Sequence, residues 1–172
     1  MPHIFSQNMP NNLKTQLPDL AKVLDDVTVK TAPWYHLGLL KSKAGLLFFS
    51  FAKGPKFAKE LYFDWIAPTL NASLLVETWP NGPDRLPSQC GQFNVYNVQT
   101  VNMNIANCTF KTTNDHSKWA TITKDNLIAK WICIGDINRA KPQRHRGGGS
   151  VCFQSVNVKQ AYQDIIGDIQ PC

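Results

Sequence analysis

The run Ala44-Gly-Leu-Leu-Phe-Phe-Ser-Phe-Ala52 is the strongest constraint on how this chain can fold. Nine nearly continuous apolar and aromatic residues, closed by Gly54-Pro55, fit a strand buried on both faces better than a helix. Such a strand requires a sheet with layers packed on it. The next segment supplies one: from Lys56 to Leu70, Phe57, Leu61 and Trp65 recur every four residues, predicting a packed helix. Leu74 to Trp79 then reads as a short strand, and Pro80 to Pro87 as turn and loop.

Further strands are expected over about Phe93–Asn102, Ser117–Thr123 and Trp131–Ile137, with a short one at Val151–Phe153. Pro18–Asp25 reads as a peripheral helix, and Val158, Ala161, Tyr162, Ile165, Ile166 and Ile169 trace a closing helix with Asn157 as its N-cap. The pattern is α/β (α+β): a mixed or largely parallel β-sheet flanked by helices, with antiparallel hairpins between residues 91 and 153. At 172 residues, with 43% hydrophobic residues, one globular domain spanning 1–172 is expected.

Cysteines stand at 90, 108, 133, 152 and 172, without the close pairs that bind zinc or perform thiol redox chemistry. Their wide spacing suggests disulfides and an oxidising, secretory route, as do the sequons at Asn71 and Asn107. The stretch beginning Met1-Pro-His3 has no basic segment leading into an apolar one, so no signal peptide is read there, and a missing beginning is expected. No run is long enough for a transmembrane helix, and no membrane partner is expected.

Eighteen Lys and Arg against twelve Asp and Glu give a charge of +6, a weak preference for polyanions. The charge is concentrated: Arg139, Lys141, Arg144 and Arg146 fall within eight residues, directly before Gly147-Gly148-Gly149. By itself such a run reads equally as a solvated loop.

Asp115-His116-Ser117-Lys118-Trp119 carries the chemistry. One residue apart on a strand, His116 and Lys118 point to the same face and form a small cationic nest. Phosphodiester cleavage needs cations for the nonbridging oxygens and an imidazole that attacks phosphorus or protonates the leaving oxygen. Downstream, Gly135 and Asn138 could return a donor to the same phosphate.

Asp115–Trp119, Trp131–Arg139 and Arg146–Cys152 resemble successive motifs of the deoxyribonuclease II family. Ser50–Lys53 with Lys56-Phe57, Leu61-Tyr62 with Trp65, Leu86–Cys90 and Gln170–Cys172 are similar to that family in the same order. The resemblance implies one half of a phospholipase D-like architecture, in which two halves each contribute a His-x-Lys motif to a shared site without metal or other cofactor. It implies endonucleolytic cleavage of DNA at acid pH to 3′-phosphate ends, by a lysosomal or secreted enzyme. On the motif match His116 and Lys118 take the second-half positions, with Asn138 as the accompanying catalytic amide and Gly135 beside it; Asp136 departs from the superfamily's usual Ser. Whether His116 is the nucleophile or the leaving-group acid is left open by its residue type, and the acid role is preferred here because an imidazole titrates near pH 6.5.

The resemblance also implies disulfides Cys90–Cys172 and Cys133–Cys152, leaving Cys108 as a buried free thiol or one that seeks a partner in another chain. It makes Arg139, Arg144 and Arg146 candidate DNA contacts. Trp119 and Trp131 are read as core. The other histidines lack the lysine: His3, His36, which is expected on a surface turn, and His145. With one motif present, Met1 resembles an internal methionine, and the first half is supplied either by a missing N-terminal half or by a homodimer. The alternative is a catalytically inactive secreted homologue that binds nucleic acid or a host protein.

Overall fold

The computed structural model describes residues 7–172, so Met1 and His3 lie outside the described residues. The chain forms two compact units, residues 1–34 and 35–172. In the first, α1 (Asn11–Gln16) and α2 (Pro18–Leu24) carry no buried residue, and Lys14 Nζ pairs with Asp25 Oδ1 at 2.7 Å. Pro18 opens α2 at a position where its missing N–H costs nothing.

The second unit is built on nine strands: β1 (Tyr35–Lys41), β2 (Leu47–Lys53), β3 (Leu74–Glu77), β4 (Val95–Asn97), β5 (Thr100–Met103), β6 (Cys108–Lys111), β7 (Trp119–Ile122), β8 (Trp131–Gly135) and β9 (Gly148–Gln154). Seven form one sheet in the order β1-β2-β9-β8-β7-β3-β4, and β5-β6 form a separate pair. The sheet is mixed, with β3–β4 its one parallel pairing among the described residues. The architecture is α+β with few helices.

The strands buried throughout are β3 and β7, not β2. Leu74 and Val76 enter the larger core with Phe51, Tyr62, Ile66 and Ile122, while Leu75 enters a second with Val98, Trp119 and Ile166. That alternation is the two-residue period of a strand. β2 is half-buried, lying between β9 and the mostly exposed edge strand β1, over residues 35–41, for which no strand is expected from the sequence. His36 consequently stands on β1 rather than on a turn, and is exposed.

The helix expected over 56–70 is broken. A 3-10 turn, Pro55–Phe57, ends at Ala58, whose φ of 55° is left-handed. A new start forms at Glu60, whose carboxylate accepts the Phe63 N–H while its own N–H donates to Asp64 Oδ2 at 2.7 Å. A π-turn (Tyr62–Ile66) and a short α-helix, α3 (Ala67–Leu70), follow. The wide turn falls just before Pro68, which has no N–H to give a regular helix.

The expected strand over 93–102 is divided into β4 and β5. The last helix, α4 (Val156–Asp164), is capped two residues earlier than expected: Ser155 Oγ, not Asn157, accepts the Val158 N–H at 3.3 Å. Disulfides join Cys90 to Cys172 and Cys133 to Cys152, the latter directly opposed across β8 and β9. Cys108 is free and exposed rather than buried. No described helix is long and apolar enough to cross a membrane.

Candidate active site

Strand direction gathers the candidate residues at one end of the sheet. β3 finishes at Glu77, opposite Trp119, the first residue of β7; β8 finishes at Gly135, opposite Ser150 near the start of β9; and β2 finishes at Lys53, opposite Gly148. His116 and Lys118 precede β7, Asn138 follows β8, and the basic segment 139–146 precedes β9. All therefore emerge from the same end.

His116 is exposed and Lys118 half-buried, and both lie in the irregular stretch before β7 rather than within it. The ring of His116 rests on the indole of Trp79, with centroids 4.2 Å apart and planes 33° apart. Trp79 is itself fixed: its Nε1 donates to Thr113 O at 3.1 Å, an oxygen that also accepts Asn81 Nδ2 at 2.6 Å. Lys118 Nζ donates to the carbonyl of His116. Behind the pair, Ser117 Oγ lies 2.7 Å from Glu77 Oε2 and 2.6 Å from Asp115 Oδ2, and Ser117 N–H donates to Asp115 Oδ1 at 3.0 Å. Burial pushes the Glu77 carboxyl up to about 8, with nearby Asp115 adding to the rise and Ser117 and Lys118 opposing it.

Gly135 serves this segment through its backbone. Its N–H donates to Lys118 O at 2.9 Å, so it anchors the lysine's main chain. A Cβ at Gly135 would stand 2.9 Å from Gly149 O. Asp136 is exposed, and its Oδ1 accepts the Gly149 N–H at 2.7 Å, bracing β9 against the turn after β8. Asn138 is half-buried, and its Oδ1 is a buried oxygen without a partner.

The three arginines separate. Arg139, expected to face DNA, is 3% exposed: Nη1 donates to Asn97 Oδ1 at 2.5 Å, Nη2 to Gln89 Oε1 at 2.8 Å, and Nε lies 3.7 Å from Glu60 Oε1. Its guanidinium is committed to the interior, because Glu60 is equally buried and a lone charge there would be costly. Burial pushes the Glu60 carboxyl up against the pull of Arg139. Arg144 is half-buried, whereas Arg146 is exposed, its Nη1 donating to Gln143 Oε1 at 3.3 Å. The loop carrying them is held by Lys53, whose buried ammonium donates to the carbonyls of Gln143, Arg144 and Arg146 at 2.8, 3.2 and 2.6 Å. Burial pulls the Lys53 ammonium below its ordinary range.

Beside the site lies a cavity of about 400 Å³ whose lining includes Thr78, Arg85, Lys111, Thr113 and Arg139. Arg85 and Lys111 are exposed cations that the sequence reading passed over. It also passed over Trp79 and Glu77. A single acid inside the apolar run Leu-Leu-Val-Glu-Thr-Trp, followed at once by proline, was the available signal for both.

A family profile described as Deoxyribonuclease II matches residues 1–172. The chain belongs to the deoxyribonuclease II family. Among its relatives, Plancitoxin-1 of Acanthaster planci is 40% identical over 172 residues, covering 99% of this chain and 47% of that protein. Deoxyribonuclease-2-alpha of Mus musculus is 39% identical over 173 residues, covering 99% of this chain and 48% of the mouse protein. Deoxyribonuclease-2 of Caenorhabditis elegans is 36% identical over 165 residues, covering 95% of this chain and 43% of that protein. The chain thus spans about half the length of the deoxyribonuclease II relatives it matches. Its two disulfides accord with formation in an oxidising environment.

Proposed function

We propose that this chain contributes one half of the active site of an acid endodeoxyribonuclease, which hydrolyses DNA phosphodiesters without metal and leaves 3′-phosphate ends. The observation that carries the reading is the pairing of an exposed imidazole, seated on Trp79, with the Lys118 ammonium at the sheet end where the basic loop also emerges.

In the proposed reaction Lys118 neutralises a nonbridging phosphate oxygen as negative charge builds on it. A histidine from a second His-x-Lys motif attacks phosphorus, and the bond from phosphorus to the 5′ oxygen breaks. His116 gives its proton to that leaving oxygen, then takes a proton from the water that opens the phosphohistidine, releasing the 3′-phosphate and restoring both imidazoles. Asn138 accompanies the pair as a polar amide, and Arg144 and Arg146 attract the backbone of the incoming strand. The second motif comes from a further half of the polypeptide or from a second copy in a homodimer. A secreted or lysosomal location, with glycans on the exposed Asn71 and Asn107, belongs to the same reading.

The presence of one His-x-Lys in these 172 residues favours a second reading, a secreted homologue that binds nucleic acid or a host protein without cutting. Incubating the chain with plasmid DNA at acid pH, alone over a dilution series and joined to a half that carries a second His-x-Lys motif, decides between them. The nuclease reading expects fragments ending in 3′-phosphate, with specific activity falling on dilution if two copies assemble the site. Retention of DNA without any fragments supports the binder.

A further inference from the structure

The hydrogens behind the His-x-Lys pair can be counted. Ser117 Oγ has carboxyl oxygens of Glu77 and Asp115 at 2.7 and 2.6 Å, yet a serine hydroxyl carries one hydrogen. One carboxyl must therefore bring a hydrogen of its own, or two lone pairs would face each other across a hydrogen-bond distance. Asp115 is half-buried and already accepts the Ser117 N–H. Glu77 is fully buried, and its Oε1 has no partner. An uncompensated carboxylate in that setting is costly, so the hydrogen belongs on Glu77.

We propose that Glu77 is a neutral carboxylic acid donating to Ser117 Oγ, which donates in turn to Asp115, and that this ordered chain positions His116 and Lys118. The role rests on the nuclease reading of that pair. Glu77 is a positioning residue: it acts through Ser117, the residue between the two reacting side chains. The charged and titratable groups around it are Asp115 and Lys118 on the segment before β7 and the Tyr62 phenol on the π-turn. When Glu77 ionises, two carboxylates compete for one hydroxyl hydrogen and repel across it, and segment 115–118 loosens. The raised carboxyl of Glu77 places that release above neutrality, so the segment is ordered in acid.

The sequence contains two glutamates, Glu60 and Glu77, so the full chain labelled with ¹³C at glutamate Cδ gives two carboxyl resonances. Glu77→Gln assigns them and keeps an N–H donor to Ser117. The expected result is a Glu77 resonance in its neutral position in acid that titrates near 8, together with a coincident step in the His116 ring signal that Glu77→Gln abolishes. In cleavage assays Glu77→Ala, which leaves Ser117 without that donor, lowers kcat severalfold more than Glu77→Gln does. A Glu77 resonance titrating in the ordinary carboxylate range overturns the proposal, as does a His116 signal indifferent to Glu77. Absence of cleavage in every variant counts against the nuclease reading alone, because both resonance measurements proceed without activity.

Discussion

The imidazole of His116 lies on the indole of Trp79 at a centroid distance of 4.2 Å, and the Thr113 carbonyl accepts the indole N–H. The ring proposed to deliver a proton thus packs on a buttressed surface, although its segment is irregular. Aromatic pairs of this kind contribute about 0.5–1.5 kcal/mol beyond buried area. Trp79→Leu is expected to lower kcat severalfold with little change in KM, and Trp79→Phe to restore most of the loss. Steady-state cleavage kinetics on the two variants checks this.

Arg139 and Arg146 belong to one basic run but perform different work. Removing a buried, ion-paired guanidinium leaves Glu60 uncompensated, and Arg139→Ala should cost about 3–5 kcal/mol of stability in denaturant titration. Arg146→Ala should leave stability nearly unchanged, weaken DNA binding, and reduce the salt slope of affinity by about one phosphate contact. Equal effects of the two substitutions on DNA affinity would contradict the placement of Arg139.

Gly135→Ala drives a Cβ to 2.9 Å from Gly149 O, a backbone atom with little room to retreat. The substitution should cost on the order of 1–3 kcal/mol, the usual range for overpacking, and should disturb Lys118 through the hydrogen bond from Gly135 N–H. Thermal unfolding compared with a Gly82→Ala control, where an added Cβ meets nothing within 4 Å, measures the first effect.

The raised carboxyl of Glu77 has a signed consequence for stability. Its value moves from an ordinary 4.5 up to about 8, so the folded chain holds this proton more tightly than the unfolded chain. The resulting stabilisation is complete below the unfolded value and is lost as pH rises through the folded one. Denaturant midpoints should therefore fall between acid and mildly alkaline pH in the wild type, and fall less in Glu77→Gln.

Much of the site was legible because it depends on local order. His116 and Lys118 are one residue apart, the strand runs around them were apolar enough to recognise, and β7, β8 and β9 form near their expected places. What could not be read depends on distant partners. Arg139 looks like its neighbours in a basic run, and only its partners Glu60, Gln89 and Asn97, distant in sequence, turn it inward. Trp79 and Glu77 act on the motif across the β3–β7 pairing, which no local spacing encodes. The 56–70 segment kept a helical apolar stripe, but Ala58 in the left-handed region and the capping hydrogen bonds of Glu60 restart it midway. β2 has the composition of a strand buried on both faces and is half-buried, because apolarity reports what a face can bury and not what will cover it.

The most direct test of the central claim is plasmid cleavage at acid pH by the chain, alone and joined to a half that carries a second His-x-Lys motif, as wild type and as His116→Ala, with DNA affinity measured on both. The account predicts that cleavage is lost while affinity is retained, since His116 acts on the leaving oxygen and the basic loop holds the strand. Undiminished cleavage by His116→Ala would contradict it.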